Sequence, residues 1–262
     1  MGDTVRRLSN VVNIGILPDS DLILDLTALE FSALDYPQRS LRHLHMLLDR
    51  TALEVGSMLK PNLLPREQAQ VLEIVLCRAG FACASEPLAR SSDTLRALET
   101  RRGTPLMLAI LYVGAARRAG LDAAVMEIVS GVVIRLGPDH RHVFVGVGAT
   151  GFGVLDTGYD RTAYVVSPYP PLSNRMTLVM LMDEEAVTCE RRGDFVRASS
   201  LYDRICVIAP SHHVLWWKKA TVEIRLKRYH AARTSLLSIL ELTRNEHIRK
   251  CALDALANIA SR

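Results

Sequence analysis

The stretch 142–156, HVFVGVGATGFGVLD, decides the fold of the first part of the chain. It predicts two short strands joined by a glycine-rich turn, because β-branched and aromatic residues flank Gly148 and Gly151. His142 opens the first strand, and Asp156 closes the second. An imidazole base and a carboxylate that orients it are two of the three members of a catalytic triad. The stretch therefore indicates a hairpin that carries a candidate His–Asp pair.

The helix expected to supply the third member follows Arg101-Arg102-Gly103. Thr104 is a suitable N-terminal cap for it, and Pro105 suits its first position, where no backbone N–H is needed. Proline has no nucleophilic atom, so the triad is incomplete at the expected position. Two substitutes remain: the Thr104 hydroxyl, which serves better as a cap, and the Cys83 thiol in an irregular segment upstream.

Apolar spacing predicts helices at 20–34, at 37–58 and from Pro65 to about Ala79. The helix that begins at Pro105 has apolar residues around most of its circumference, which is typical of a buried central helix. Residues 121–166 are rich in β-branched residues and predict a small antiparallel sheet packed on that helix.

The proline-rich segment SPYPPLSN (167–174) predicts a linker between two domains, 1–172 and 173–262. The second domain is predicted to be entirely helical, and its sequence repeats at an offset of 34 residues. Small, aromatic and aliphatic residues coincide at this offset in the pairs Ala186/Ala220, Phe195/Tyr229, Ala198/Ala232, Tyr202/Leu236 and Ile205/Ile239, and Met182 falls on Trp216. Such a period, closed by Pro210, is the tetratricopeptide pattern, and it predicts two repeats followed by a capping helix.

Composition excludes several classes of function. A net charge of +4 with both signs interspersed does not indicate a nucleic-acid partner. The five cysteines form no CxxC pair, and His140 with His142 has no identifiable third ligand, so neither a metal site nor a disulfide framework is expected. No window approaches a membrane span, and the N-terminus does not resemble a signal peptide, so we expect a cytoplasmic protein without a membrane partner.

A cofactor is not expected either. The segment GVGATG (146–151) matches the glycine spacing of dinucleotide-binding loops. Such a loop must lead from a strand into a helix whose N-terminus holds the pyrophosphate, and here a second strand follows.

The order of these elements resembles transglutaminase-like domains, which carry a cysteine at a helix N-terminus and then two strands with His and Asp. The segment GTPLMLAILYVGAARRAGLDAAVM is similar to their central helix, HVFVGVG to the His strand and GFGVLD to the Asp strand. More narrowly, ETRRGTPLMLAILY and the first helical repeat resemble the bacterial SirB family, in which a degenerate transglutaminase-like domain precedes tetratricopeptide repeats. The resemblance implies an α+β fold, with a mostly helical, papain-like first domain and an all-α second one.

The chain departs from that family where Leu106-Met107 replaces its usual serine and Asp156-Thr157 its usual Asp-Pro. With Pro105 at the nucleophile position, the leading hypothesis is a non-catalytic interaction or regulatory scaffold. The alternative is a hydrolase or acyltransferase that uses His142 and Asp156 with an unidentified nucleophile. A third hypothesis, a peptide- or small-ligand-binding module built on the relic cleft, merges into the first.

The tetratricopeptide face is the predicted partner-binding surface. The first helix of each repeat lines the concave face of such an array, and the second of these helices contains Trp216, Trp217, Lys218 and Lys219. Trp216 falls at a core position, whereas Trp217 points in another direction around the helix. Tryptophan and neighbouring cations are favoured at interface hot spots. We therefore expect a protein or peptide to contact Trp217 and either Lys218 or Lys219.

Overall fold

A computed structural model of the 262-residue chain describes residues 11, 14–84, 92–129, 131–148, 151–155 and 170–260. The chain divides into two compact units. One spans Pro18–Leu178, and the other contains the described residues of Met1–Leu17 and of Val179–Arg262.

The described residues of the first unit include the helices α1 (Leu24–Ala33), α2 (Arg42–Met58), α3 (Pro65–Arg78), α4 (Thr94–Thr100) and α5 (Pro105–Arg118). The expected helix at Pro65 is confirmed. The two helices before it begin four to five residues later than expected, because local turns take up the intervening chain. Residues 19–21 form a separate 3-10 turn, and the backbone N–H groups of Tyr36 and Arg39 donate to carbonyls three residues earlier.

Helix α5 is the centre of this unit, as its sequence predicts. Every residue from Leu106 to Ala116 is buried. Gly114 lets Asp25 of α1 approach the helix, since a Cβ at this position would lie 2.3 Å from the Asp25 Cγ atom. The Asp25 carboxylate is fully buried and accepts a 2.7 Å hydrogen bond from Arg118 at the end of α5.

Within the part of the first unit that the structure describes, six strands form two sheets. β1 (Ala82–Cys83) and β2 (Arg102–Gly103) make a short parallel pair. β3 (Ala123–Ile128), β4 (Gly131–Leu136), β5 (Val143–Gly148) and β6 (Gly151–Val154) form an antiparallel sheet in that order. The predicted antiparallel sheet on the central helix and the hairpin between Gly148 and Gly151 are confirmed. The expected strand at 162–166 lies outside the described residues.

The two faces of the larger sheet have different neighbours. Phe152 of β6 packs on Tyr112 of α5, with ring centroids 5.2 Å apart. Because side chains alternate along a strand, residues in register with Phe152 share this α5-facing side. Phe144 and Leu155 instead pack on a separate cluster on the other face, formed by Met126, Ile128 and Val133.

The second unit is helical throughout its described residues, and the division from the first unit falls within its first helix. Its helices are α6 (Asn174–Arg191), α7 (Phe195–Ile208), α8 (His213–Arg225), α9 (Tyr229–Leu242) and α10 (Glu246–Ala260). Helices α7 and α9 begin 34 residues apart and end 34 residues apart, which is the offset found in the sequence. Residues paired at this offset share deep burial in Ala186/Ala220, Ala198/Ala232, Tyr202/Leu236 and Ile205/Ile239.

None of the helices in the described part of the chain combines the length and apolar character that a membrane crossing requires.

Candidate functional site

An apolar groove of about 380 Å³ lies on the second unit between α8 and α10. Its floor includes Ile239 of α9, which is completely buried. The residues that line it are His213, Val214, Trp217, Lys218, Ile239, His247, Ile248 and Cys251. The size lies within the ~300–1,000 Å³ range of typical ligand pockets.

The groove is built from equivalent positions of two successive helices. His213, Val214 and Trp217 of α8 are each followed 34 residues later by a lining residue of α10, namely His247, Ile248 and Cys251. The groove therefore follows from the helical repeat itself. The 34-residue offset that relates α7 to α9 is the signal that could have found the three α10 residues from the sequence.

The two adjacent tryptophans have different environments. Trp216 is half-buried against the core between α8, α9 and α10, and its indole N–H donates a 2.8 Å hydrogen bond to the Pro210 carbonyl. Trp217 is 36% exposed and lines the groove.

The two lysines that follow the tryptophans also have different environments. Lys218 lines the groove, and its ammonium group lies 2.6 Å from the Asp183 carboxylate of α6. Lys219 is not among the lining residues. It pairs with Asp203 of α7 at 2.8 Å and lies 5.2 Å from the centre of the Trp216 ring.

In the first unit, the N-terminus of α5 has the local structure that its sequence predicts. Thr104 caps the helix by accepting a hydrogen bond from the Met107 backbone N–H at 3.3 Å. Pro105 occupies the first helical position and is exposed. The position expected for a nucleophile therefore has a ring without a reactive heteroatom.

Cys83 lies closer to this helix start than its place in the sequence suggests. It pairs with Gly103 in the parallel β1–β2 ladder, two residues before Pro105. Burial raises the pKa of the Cys83 thiol. A thiol with a raised pKa holds less of the reactive thiolate at neutral pH, so this environment does not activate it.

His142, just before β5, is held by a carbonyl. Its Nδ1 atom lies 3.0 Å from the Asp139 carbonyl oxygen. A carbonyl oxygen can only accept, so Nδ1 must carry the proton. In a catalytic triad the carboxylate accepts from the Nδ1–H group of the histidine, and here that group is engaged by the Asp139 carbonyl.

The strand register places His142 beside the C-terminal end of α5. Ala123, Leu136 and Val143 lie in one row across the sheet. Arg117, in the last turn of α5, donates from Nε to the Ala123 carbonyl at 2.7 Å. The helix has 14 residues and therefore spans about 21 Å. Pro105 and His142 are thus associated with opposite ends of it.

His142 also lies on the other face of the sheet. Its ring packs on Phe144 with centroids 4.9 Å apart, and Phe144 belongs to the cluster on the side away from α5. Val132 lies at the opposite end of the strands, near the start of β4. It faces α5 and pairs with Glu127 of β3. Asp156 lies outside the described residues, so its pairing with His142 stays a prediction.

Comparison with known proteins agrees with this description of the first unit. A family model described as the transglutaminase-like superfamily matches residues 42–151. The chain therefore contains a transglutaminase-like domain. The match extends from α2 to the first residue of β6.

No curated protein matches the chain. Among solved structures, the chain is similar to menin, in a crystal structure described as revealing the binding site for Mixed Lineage Leukemia (MLL) protein. The similarity has a TM-score of 0.37 and 10% sequence identity, and it covers 90% of this chain and 68% of menin.

The first unit contains a cleft of about 620 Å³ at the C-terminal end of α5, and several charged residues line it. These charged groups have hydrogen-bonding partners. Arg135 pairs with Asp122 at 3.0 Å, and Asp19 accepts hydrogen bonds from the backbone N–H groups of Asn174 and Arg175. Within the described residues, no group of three His, Cys, Asp or Glu side chains has an arrangement that could hold a metal ion.

Proposed function

We propose that this protein is a non-catalytic interaction scaffold of the SirB type, in which a transglutaminase-like domain is followed by two tetratricopeptide repeats and a capping helix. Its binding site is the apolar groove between α8 and α10. The observation that carries the proposal is the position of Trp217, a large, partly exposed aromatic side chain that lines a preformed groove. Residues of this type, placed in this way, are the common anchors of protein interfaces.

The tetratricopeptide assignment is supported by the 34-residue spacing of α7 and α9. It is also supported by the small residues Ala198 of α7 and Ala232 of α9, which are both fully buried. In such arrays, first helices line the binding face, and α8 and α10 correspond to first helices. The groove is where an array of this kind would hold a ligand.

The non-catalytic assignment rests on the first unit. Pro105 occupies the position of the nucleophile, and His142 is associated with the other end of α5 and the other face of the sheet. A general base must come within hydrogen-bond reach of the group that it deprotonates. We propose that His142 and Asp156 are a structural relic of a triad.

A competing hydrolase or acyltransferase activity would use His142 and Asp156 with another nucleophile. The observation in its favour is the position of Cys83 beside Gly103. Electrophilic thiol probes and per-site mass spectrometry distinguish the two functions. We expect no preferential labelling of Cys83 over Cys77, which is exposed and has a thiol pKa that is also raised by burial. Stoichiometric labelling of Cys83 with loss of a measurable activity would establish the enzyme.

The scaffold proposal is tested by capturing partners from the native host with the full chain and with two variants. Trp217→Ala should lose the captured protein. Leu253→Ala removes an apolar side chain of α10 that is 53% exposed and does not line the groove, and it should retain the protein. Both variants should unfold at temperatures close to that of the parent chain. Equal capture by the Trp217→Ala variant would refute the assignment of the groove.

A further inference from the structure

The polar groups around the groove are nearly all hydrogen-bond donors. Among the described residues that line it, the polar side chains are His213, Trp217, Lys218, His247 and Cys251, and no carboxylate is present. The Trp217 indole N–H can only donate, and it donates to no acceptor in the described part of the chain. A neutral imidazole supplies one donor in addition to its acceptor.

The Asp183 carboxylate lies beside this set, and Lys218 neutralises it. Both carboxylate oxygens lie within 2.7 Å of the Lys218 ammonium. An ammonium group has three donors, so one donor of Lys218 is not needed for Asp183.

The segment that forms α8, α9 and α10 has a net positive charge, which is the same sign as the charge of Lys218. Residues 213–260 contain nine lysines and arginines against four aspartates and glutamates, whereas the whole chain has a net charge of only +4. The segment that contains the groove therefore carries an excess of five positive charges, nine minus four, which is larger than the net charge of the whole chain. A field of this kind attracts acidic partners and raises their association rate.

Resting on the proposed function, we infer that the groove binds a protein segment in which a bulky apolar side chain is flanked by an aspartate or glutamate. The apolar side chain enters between Trp217 and Ile248 and covers Ile239. The carboxylate accepts hydrogen bonds from the donors at the rim. Charge complementarity selects this occupant over a basic or uncharged segment, because a carboxylate can accept from the indole N–H and the ammonium group, which are donors only.

The inference is tested by selecting peptides from a displayed random library on the full chain and discarding those that also bind the Trp217→Ala variant. We expect selected peptides to contain Leu, Ile, Phe or Trp beside Asp or Glu. Replacing the acidic residue of a synthetic peptide by its amide should weaken binding about tenfold, because a hydrogen bond to a charged group is lost. Groove-dependent peptides without acidic residues would overturn this inference and leave the proposed function standing. The absence of any groove-dependent peptide would overturn both.

Two single substitutions test the sign of the electrostatic effect. Asp183→Asn releases Lys218 and should raise the affinity for the acidic peptide about two- to fivefold. Lys218→Gln leaves the Asp183 carboxylate without its partner and should lower that affinity by a similar factor. The double substitution removes both charges and should fall between the two. The inference would be contradicted if the amide peptide showed the same order of affinities among these variants, or if the acidic peptide showed the opposite order.

Cys251 reports whether the peptide occupies the groove. It lines the groove and is half-buried, whereas Cys77 lies on α3 and is exposed. Bound peptide should slow alkylation of Cys251 by iodoacetamide at least threefold and leave the rate at Cys77 unchanged. Equal rates at Cys251 with and without a tightly bound peptide would place the peptide elsewhere and overturn the inference.

Discussion

Replacing the adjacent tryptophans one at a time separates the core of the second unit from its groove. Trp216 packs on the core between α8, α9 and α10 and donates a hydrogen bond to the Pro210 carbonyl. Removing a packed tryptophan costs about 3 kcal/mol at the lower end of the measured range, and a hydrogen bond contributes about 1 kcal/mol. Trp216→Ala should therefore reduce the free energy of unfolding of the second unit by about 3–4 kcal/mol.

Trp217→Ala should cost less than about 1 kcal/mol, because Trp217 is 36% exposed and lines an open groove, so its truncation opens no closed cavity. The assay is urea denaturation followed by far-UV circular dichroism, which does not depend on tryptophan. Trp217→Phe serves as the conservative control and should resemble the parent chain. A cost for Trp217→Ala as large as that for Trp216→Ala would place Trp217 in the core and remove the physical basis for the groove as a binding site.

Two further predictions concern the transglutaminase-like domain. Arg118→Met leaves the Asp25 carboxylate buried without its partner and should cost about 3–5 kcal/mol at neutral pH. Burial already raises the pKa of Asp25, and losing Arg118 raises it further. The folded variant therefore takes up a proton more readily than the unfolded chain, and its deficit should shrink as the pH falls from neutral to about 4. Asp49→Asn, which alters the exposed partner of Arg118, should cost under about 1 kcal/mol; a pH-independent deficit for Arg118→Met would contradict the reasoning. In the second prediction, Gly114→Ala should destabilise the domain by about 1–3 kcal/mol, since its Cβ would overlap Asp25. Gly56→Ala on α2 meets no atom within 4 Å and should be neutral or stabilising by up to about 1 kcal/mol; equal effects of the two substitutions in thermal unfolding would show that the close approach does not matter.

The parts of the fold that the sequence predicts are those specified by local signals. Thr104 and Pro105 start α5 as expected, because a cap and a first-turn proline act within a few residues. The pairing of β5 with β6, in which Gly148 lies opposite Gly151, is also between neighbouring segments of the sequence. The 34-residue offset anticipates the spacing of α7 and α9, since a repeat reproduces the same local preferences.

The parts that the sequence does not predict depend on long-range register. The position of Cys83 beside Gly103 comes from a ladder of two residues per strand, which is too short to leave a pattern in the sequence. His142 is associated with the C-terminal end of α5 because of how β3, β4 and β5 align, and its neighbours in the sequence do not encode that alignment. The contribution of α10 to the groove differs from these two, because the 34-residue offset from His213, Val214 and Trp217 points to it.

The repeating geometry of the groove makes its ligand preference modular. Asp183, Trp217 and Cys251 occupy the same position in three successive periods of 34 residues, and together they form one column of the array. At the α6–α8 junction this column contributes the charge that pairs with Lys218, and at the α8–α10 junction it contributes an aromatic and a thiol. Exchanging Asp183 would therefore act directly on the α6–α8 junction and reach the α8–α10 groove only through Lys218, which belongs to both. Proteins built on the same period could diversify their ligands position by position while keeping one scaffold.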